Sequence, residues 1–400
     1  MKDILFLAHR IPYPPDRGDK IRSWHLLRHL ATLGRVHLAC FADDQADAAH
    51  LPALRAALGA RLGEAHVEVR TRGKVAAGAR ALIEGRPVSL TLFDSDALRA
   101  FVARMLSGDA IGTVFAFSGQ MAQFVPDDVR QHFVMDFGDV DSAKFAQYAD
   151  EGAGPMRWIN AREGNKLFAF ERATAERADL CLFVSEAEAA LFRGRTGLPN
   201  IRALSNGIDT EYFDPAADFP RLSEKGPLVL FTGQMDYAPN ADAVVWFANE
   251  VLPRVPGARF VIAGRNPLPA VRALASERVT VTGGVPDMRS WLAAAELVVA
   301  PLKLARGIQN KVLEAMAMAR PVVASPAACE GIDAVAGRDL LVADDADATA
   351  EAVNSLLAAP DRARAIGRAA RLQMAQSYRW EARLAPLAQI LDPAARRKAA

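Results

Sequence analysis

Two alternating textures run the length of the chain. Short, almost unbroken apolar runs occupy residues 4–8, 36–41, 67–69, 114–117, 133–137 and 180–184, and longer stretches between them repeat apolar positions every three or four residues. The first texture is that of a strand buried on both faces of a parallel sheet; the second is that of an amphipathic helix packed on it. A second series of apolar runs lies at 228–231, 260–263, 279–281, 297–300, 322–324 and 340–342. Strands alternating with helices predict an α/β fold of two Rossmann-like, doubly wound domains. Between the two series, residues 205–227 carry Asn-Gly, Asp-Pro, Phe-Pro and Gly-Pro steps with little periodicity, which predicts a linker. The predicted organisation is a first domain over 1–205, a linker over 206–226, a second domain over 227–376 and a C-terminal helical segment over 377–400, amphipathic through 377–391.

Composition narrows the class. The 400 residues are 51% hydrophobic and 24% charged, the make-up of a soluble globular protein. A net charge of +1 gives no global steering toward nucleic acid or an anionic surface. Cys40, Cys181 and Cys329 are odd in number, scattered and without metal spacing, which indicates a reducing compartment and no disulfide framework. The apolar run 4–8 is too short for the core of a signal peptide, and no run approaches the roughly 18 apolar residues of a membrane span. The expected location is the cytoplasm, with peripheral attachment to the inner membrane left open.

Candidate chemistry concentrates in residues 306–325. The runs 296–302 and 321–325 read as strands and the stretch from Gln309 as a helix between them, a βαβ unit. The loop 303–308 leaves the first strand at its carboxyl end, so the helix N-terminus, with its unpaired N–H groups, faces the crevice where an anion binds. Lys311 and Glu314 are three apart and Asn310 and Glu314 four apart, so the three share a face, while Leu313, Met316 and Ala317 point to the sheet. Lysine suits a diphosphate, and a carboxylate one turn on suits a pair of sugar or ribose hydroxyls. The competing reading is a solvated Glu/Lys pair on an exposed helix end.

The segment KVLEAMAMARPVVAS, residues 311–325, resembles the nucleotide-sugar signature of the retaining glycosyltransferases of family 4. The resemblance extends to SNGID at 205–209, FTG at 231–233, FVIAG at 260–264, VTGGV at 281–285 and PYPPDRGDKIRSWHLLRHLA at 12–31, and so spans nearly the whole chain. It is nearest to bacterial exopolysaccharide sugar transferases, including those that accompany exosortase systems. Two positions depart from the family pattern. Arg306 stands where the earlier of the family's two glutamates falls, and Gly233 is followed by Gln234, Met235 and Asp236 instead of the usual lysine.

The resemblance implies a GT-B fold with two domains facing a central cleft and a retaining transfer of a hexose from a nucleoside diphosphate sugar to a hydroxyl acceptor. The donor belongs to the second domain and the acceptor, a polysaccharide or lipid-linked sugar, to the first. No metal and no further cofactor is expected. Arg306, Lys311 and Asp139 are then the catalytic candidates, with the two cations compensating for the missing residues. Glu314, Asn310, Gly307, Ile308, Gly233, Arg265 and Val285 are the donor-binding set. Gly18, Arg17, Lys20 and Arg22 form the loop toward acceptor or phosphate. Asp136, Asp139 and Asp141 lie at strand-end level, where family members place a polar residue near the sugar; helix N-capping is the alternative. The segment 377–391 is expected to cross back onto the first domain.

Other positions read structurally. Trp158, Phe168 and Phe170 in the helical stretch 157–177 are expected to face the core, as are Trp246 and Phe247 on a helix capped by Asn240. Ser185 and Glu188 make a capping-box pattern. Asn206, Gly207 and Asp209 make a turn, and Glu330 is expected to be solvated. Arg70, Arg72, Lys74, Arg80 and Arg86 are either a basic face toward anionic lipid or an ordinary solvated surface. Two rival functions remain at this level: a sugar-nucleotide 2-epimerase, disfavoured because the second crevice shows no histidine, and a two-lobed binding protein without chemistry.

Overall fold

In the computed structural model residues 2–71, 73–223, 226–305 and 307–392 are described. They form two compact units, one holding the chain up to Leu204 and again from Leu384, the other Ser205–Arg383. The first unit contains strands β1 (Asp3–Ala8), β2 (Val36–Ala42), β3 (Leu62–Val69), β4 (Ile111–Phe117), β5 (His132–Gly138), β6 (Leu180–Phe183) and β7 (Ile201–Ala203). All pairs are parallel, in the order β3-β2-β1-β4-β5-β6-β7. The second unit repeats the pattern with β8 (Leu228–Thr232), β9 (Arg259–Ala263), β10 (Val279–Gly283), β11 (Leu297–Ala300), β12 (Val322–Ala324) and β13 (Leu341–Val342), ordered β10-β9-β8-β11-β12-β13. In each sheet the first strand of the unit lies third in the order, inside the sheet, and the chain then builds outward first to one side and later to the other. Central strands are sandwiched between helices, so Leu5, Phe6, Leu7, Val229, Leu230 and Phe231 are all fully buried.

The two strands that the apolar pattern renders poorly are edges of the first sheet. β3 begins at Leu62, before the predicted run, because Glu64 is exposed and the residues after it are only half-buried, which breaks the apolar signal. β7 is missing from the predicted set because only Ile201 of its three residues is buried.

The stretch expected as a linker belongs to the packing of the second unit. Ile208 and Phe219 lie in that unit's core. The Arg371 guanidinium donates to the carbonyls of Thr210 (2.9 Å), Phe213 (2.7 Å) and Ala317 (2.9 Å), fastening the segment to the end of the helix Asn310–Ala317. In place of the single helix expected over 377–391, a helix over Pro360–Ser377 ends before fully buried Tyr378, and two short helices follow, Trp380–Leu384 and Pro386–Ile390.

Phe168 and Phe170 pack against the first core as expected. Trp158 does not: it is 62% exposed, beside Met156 at 56% and Ile159 at 41%. The helix Gly154–Arg177 meets its neighbour Asp141–Glu151 at Gly164, where an added Cβ would come within 3.1 Å of the Ser142 carbonyl oxygen, and Trp158 sits more than a turn away toward the bare end. Phe247 is fully buried and Trp246 partly so, both against the second core.

Candidate functional site

At the carboxyl edge of the second sheet, β8 lies between β9 and β11, the place where strand order reverses and where doubly wound folds open a crevice. The turns there are packed so tightly that glycine is obligatory. Gly233, directly after β8, has φ +154°, and its N–H donates to the Ala263 carbonyl at 3.1 Å. An added Cβ on Gly264, directly after β9, would lie 1.6 Å from the Gly233 carbonyl oxygen. Backbone thus lines this corner, and the side chains that stand closest to Gly233 are those of Asn240 and Lys311.

The helix Asn310–Ala317 follows β11 and aims its first turn at the same corner. Gln309 precedes it in an extended conformation, and the Gln309 side chain makes no capping bond to the helix start. Lys311 is 9% exposed; its Nζ lies 4.5 Å from the centre of the Phe231 ring and donates to Asn240 Oδ1. Asn240 was expected to cap the helix Ala238–Trp246, but Tyr237 holds that place without a side-chain bond. Asn240 is instead 6% exposed within the first turn, and its Nδ2 donates to the Gln234 carbonyl at 2.8 Å. One amide therefore ties the loop after β8 to the lysine after β11. Burial pushes the Lys311 ammonium down to about 7, partly offset by Glu314. Burial pushes Glu314 up to about 7, partly offset by Lys311. The pair is poised to change charge when an anion arrives.

The rest of the donor set spreads around this point. Asn310 Oδ1 accepts from Asn206 Nδ2 at 3.4 Å. Gly307 has φ +63°, and Ile308 is 7% exposed within the core, which makes it a packing residue. Arg265 is exposed just beyond β9, its stem 3.2 Å from where a Cβ on Gly284 would stand. Val285 is partly buried, and Glu330 is exposed as expected. Arg306 lies outside the described residues, as do Arg72 and Arg396, Arg397 and Lys398.

The first unit gathers charge at its own strand ends. Arg17, just before the helix Gly18–Leu33, donates to Asp43 Oδ2 at 2.6 Å. Lys20 is 2% exposed and paired with Asp47. Arg22, also 2% exposed, donates to Asp136 Oδ2 at 2.7 Å and to the Leu204 carbonyl at 2.8 Å. Lys20 and Arg22, expected to meet phosphate, are thus committed to carboxylates inside the unit. The expected aspartate trio also divides. Asp136 is fully buried against Arg22 and the Gly138 N–H, although burial alone raises its carboxyl. Asp139 is partly buried, and Asp141 opens the helix Asp141–Glu151 with its carboxyl raised to about 6 by burial and by the nearby Asp139 and Glu163. Among the described residues no group of three or more His, Cys, Asp or Glu side chains is placed to hold a metal ion.

A network that the sequence reading missed lies beside Arg17. Arg10 donates to Asp43 at 3.1 Å and to Asp19 at 2.5 Å, Arg70 meets Asp43 at 2.9 Å, and His9 Nε2 lies 3.0 Å from Asp19. Burial lowers the His9 pKa against the pull of Asp19. Three arginines face two aspartates at the ends of β1, β2 and β3, and His9 and Arg10 directly after the first apolar run were the available signal. Ser185 accepts from the Glu188 N–H at 3.2 Å as expected of a capping box, but Glu188 turns away and accepts from the Val140 N–H at 2.6 Å.

Residues 226–359 match the family model described as Glycosyl transferases group 1. This match covers about a third of the chain, 134 of its 400 residues. Gly233, Asn240, Gly264, Lys311 and Glu314 all fall inside the matched stretch. Over 251 residues the chain is 31% identical to the GDP-mannose-dependent alpha-(1-6)-phosphatidylinositol monomannoside mannosyltransferase of Mycobacterium tuberculosis, an alignment covering 56% of this chain and 65% of that protein. The chain thus spans just under two thirds of that relative's length. Sucrose-phosphate synthase from Thermosynechococcus elongatus has a similar structure, with a TM-score of 0.72 at 20% identity over 98% of both chains. Anabaena HepE in complex with UDP and glucose gives a TM-score of 0.69 at 15% identity over 98% of this chain and 99% of that one. The two Rossmann-like units are therefore those of a GT-B fold, and the family match falls within the second of them.

Proposed function

We propose that this protein is a retaining glycosyltransferase that moves a sugar from a nucleoside diphosphate sugar to a hydroxyl acceptor, in the synthesis of a bacterial exopolysaccharide or a lipid-linked glycan, on the cytoplasmic side of the inner membrane. The observation that carries this reading is the placement of Lys311. It is a buried ammonium in the first turn of a helix, beside a glycine corner, where strand order reverses. Backbone N–H groups and one cation converging on open backbone suit a diphosphate. The names of the relatives point the same way: one uses GDP-mannose and another was crystallised with UDP.

In the transfer the anomeric C–O bond to the diphosphate breaks and the acceptor oxygen bonds to the same face. The acceptor's proton passes to a leaving phosphate oxygen, so no separate protein base is required. Negative charge grows on the diphosphate as it leaves. A lysine with a pKa near 7 gains its proton when that charge approaches, and Asn240 holds it in position. Removing one such preorganised donor costs on the order of 10² to 10³ in rate. Arg306, five residues before Lys311 in the sequence, is the second cation of this reading, and ionised Glu314 accepts from ribose or sugar hydroxyls. Asp139 is the group of the first unit assigned to sugar or acceptor.

The test is a thermal-shift panel of UDP, GDP, ADP and dTDP and their sugars, with and without Mg²⁺. A ligand at 100 times its Kd adds about 2.7 kcal/mol of stability. One diphosphate is expected to raise Tm without metal in the wild type and to leave Lys311→Ala unmoved. A shift of equal size in Lys311→Ala, or no shift with any member, overturns the assignment.

A further inference from the structure

Lys311 is buried against a partner that carries no charge. Its Nζ donates to Asn240 Oδ1 and stands 4.5 Å from the centre of the Phe231 ring, and among the described residues no carboxylate forms an ion pair with it. A buried ammonium or guanidinium is ordinarily matched by a carboxylate, because a charge left uncompensated inside a protein costs more than a neutral hydrogen bond returns. The first unit follows that rule. Lys20, 2% exposed, is paired with Asp47, and Arg22, also 2% exposed, with Asp136. Lys311, 9% exposed, departs from it, and does so at the glycine corner.

The amide is fixed from its other end. Asn240 Nδ2 donates to the Gln234 carbonyl at 2.8 Å, which turns Oδ1 toward the lysine. Gln234 directly follows Gly233, and a Cβ built on Gly233 would stand 2.8 Å from Asn240 Nδ2 and 3.3 Å from Lys311 Nζ. Amide and ammonium thus rest against the bare face of that glycine, where a ligand can approach backbone closely.

Other charges nearby do not complete the pair. Glu314, three residues on along the same helix, acts on Lys311 through space and makes no ion-pair contact with it. Asp236, in the loop after β8, accepts from Asn266 Nδ2 at 3.2 Å. Asp242 is exposed and two residues from Asn240, hence on another face of the helix Ala238–Trp246. Arg265 and Lys303 are exposed cations, which add to the demand for an anion.

We infer that Asn240 is the positioning residue of the donor corner: it fixes the Lys311 ammonium against Gly233 through a neutral acceptor, so that the counter-charge comes from the diphosphate itself. This rests on the donor assignment made above. A carboxylate in place of the amide would keep the lysine charged and compete with the ligand, whereas an amide stabilises the ammonium and leaves its charge to be balanced from outside. Binding a diphosphate then draws a proton onto the lysine wherever the empty site has lost it.

The experiment is isothermal titration calorimetry of the full chain with UDP, GDP, ADP and dTDP between pH 6 and 8.5, in wild type, Asn240→Ala and Asn240→Asp, the tightest-binding diphosphate being compared across the three. Each variant is read as a ratio to wild type at the same pH, which cancels the titration of the ligand phosphate and of Glu314. Asn240→Ala removes a hydrogen bond to a charged group, so it is expected to bind at least tenfold more weakly at pH 8.5 and within about threefold at pH 6, where protons are abundant. Asn240→Asp supplies a fixed counter-charge and is expected to run the opposite way, weakest relative to wild type at pH 6. Wild type alone, measured at pH 8 in buffers of different ionisation heat, is expected to take up about one proton per diphosphate, a readout that stands even if neither variant folds. Ratios that are the same at every pH, as a purely structural bond to Gln234 would give, or binding without proton uptake, overturn the positioning role. A wild type that binds none of the four, or Lys311→Ala that binds as tightly, overturns the donor assignment and this inference with it. Loss of the ligand in Lys311→Ala beside flat Asn240 ratios leaves the donor assignment standing and removes this inference alone.

Discussion

Replacing Lys311 with methionine should make the protein more stable and unable to hold its donor. Lysine has an ordinary pKa of 10.5, and burial lowers that of Lys311 to about 7, so keeping the ammonium out of water costs on the order of 4 kcal/mol at pH 7. Methionine fills similar volume without that cost. It leaves Asn240 Oδ1 without the Lys311 donor, a loss of about 1–3 kcal/mol. The net gain is then about 1–3 kcal/mol, which for a unit of this size raises Tm by roughly 2–10 °C. The sign with pH is specific. Between pH 7 and 10.5 the unfolded wild type binds more protons at this lysine than the folded form does, so wild-type stability rises with pH there. The advantage of Lys311→Met is therefore greatest at and below pH 7 and shrinks by about 1.4 kcal/mol per pH unit above it. Chemical denaturation of both proteins from pH 6.5 to 9.5, with a diphosphate titration at each point, measures both effects. A variant less stable than wild type at pH 7, or a stability difference that does not change with pH, would refute the desolvated ammonium. A retained diphosphate shift would refute its role in binding.

Two further outcomes follow from particular contacts. Gly264→Ala places a methyl group 1.6 Å from the Gly233 carbonyl oxygen, so the turn must open; loss of soluble protein or destabilisation by more than about 3 kcal/mol is expected by denaturation, and a well-folded variant would contradict the packing of the two turns. Glu171 is 3% exposed, and burial, reinforced by Asp141 and opposed by the Ser142 N–H at 3.0 Å and Arg195, raises its carboxyl to about 8. A raised carboxyl binds its proton in the folded state, so stability of the first unit is expected to fall as pH rises from 4.5 to 8, and Glu171→Gln to flatten that decline; parallel pH curves for the two proteins would sink the assignment.

Much of the architecture is legible because a parallel sheet covered on both faces writes its strands as unbroken apolar runs, as at 228–231 and 297–300. Where that physics lapses, the reading lapses with it: β3 and β7 are sheet edges, where Glu64 and two of the three residues of β7 are exposed. In the candidate site, glycines and helix spacing singled out Gly233, Lys311 and Glu314 as candidates. What stayed hidden is partnership over distance. Arg22 reads as a basic loop residue until Asp136 folds against it, and Asn240 reads as a cap until Lys311 arrives from the far side of β11. A charge is visible in a sequence, but the group that neutralises it is not. Trp158 fails for the converse reason: helical periodicity finds an apolar position but does not tell whether anything lies over it.

The fastening of residues 208–219 onto the second unit sets where that unit can be cut and exchanged. The family match begins at 226 and ends at 359, yet the compact unit runs from Ser205 to Arg383. A chimera that swaps only the matched residues would leave behind Ile208 and Phe219, which fill its core, and both Arg371 and Tyr378. Swapped at Ser205 and Arg383 instead, the donor corner travels with the braces that hold its helix. Recombination between chains of this fold, natural or engineered, should therefore tolerate crossovers at those two seams and fail at the edges of the sequence signature.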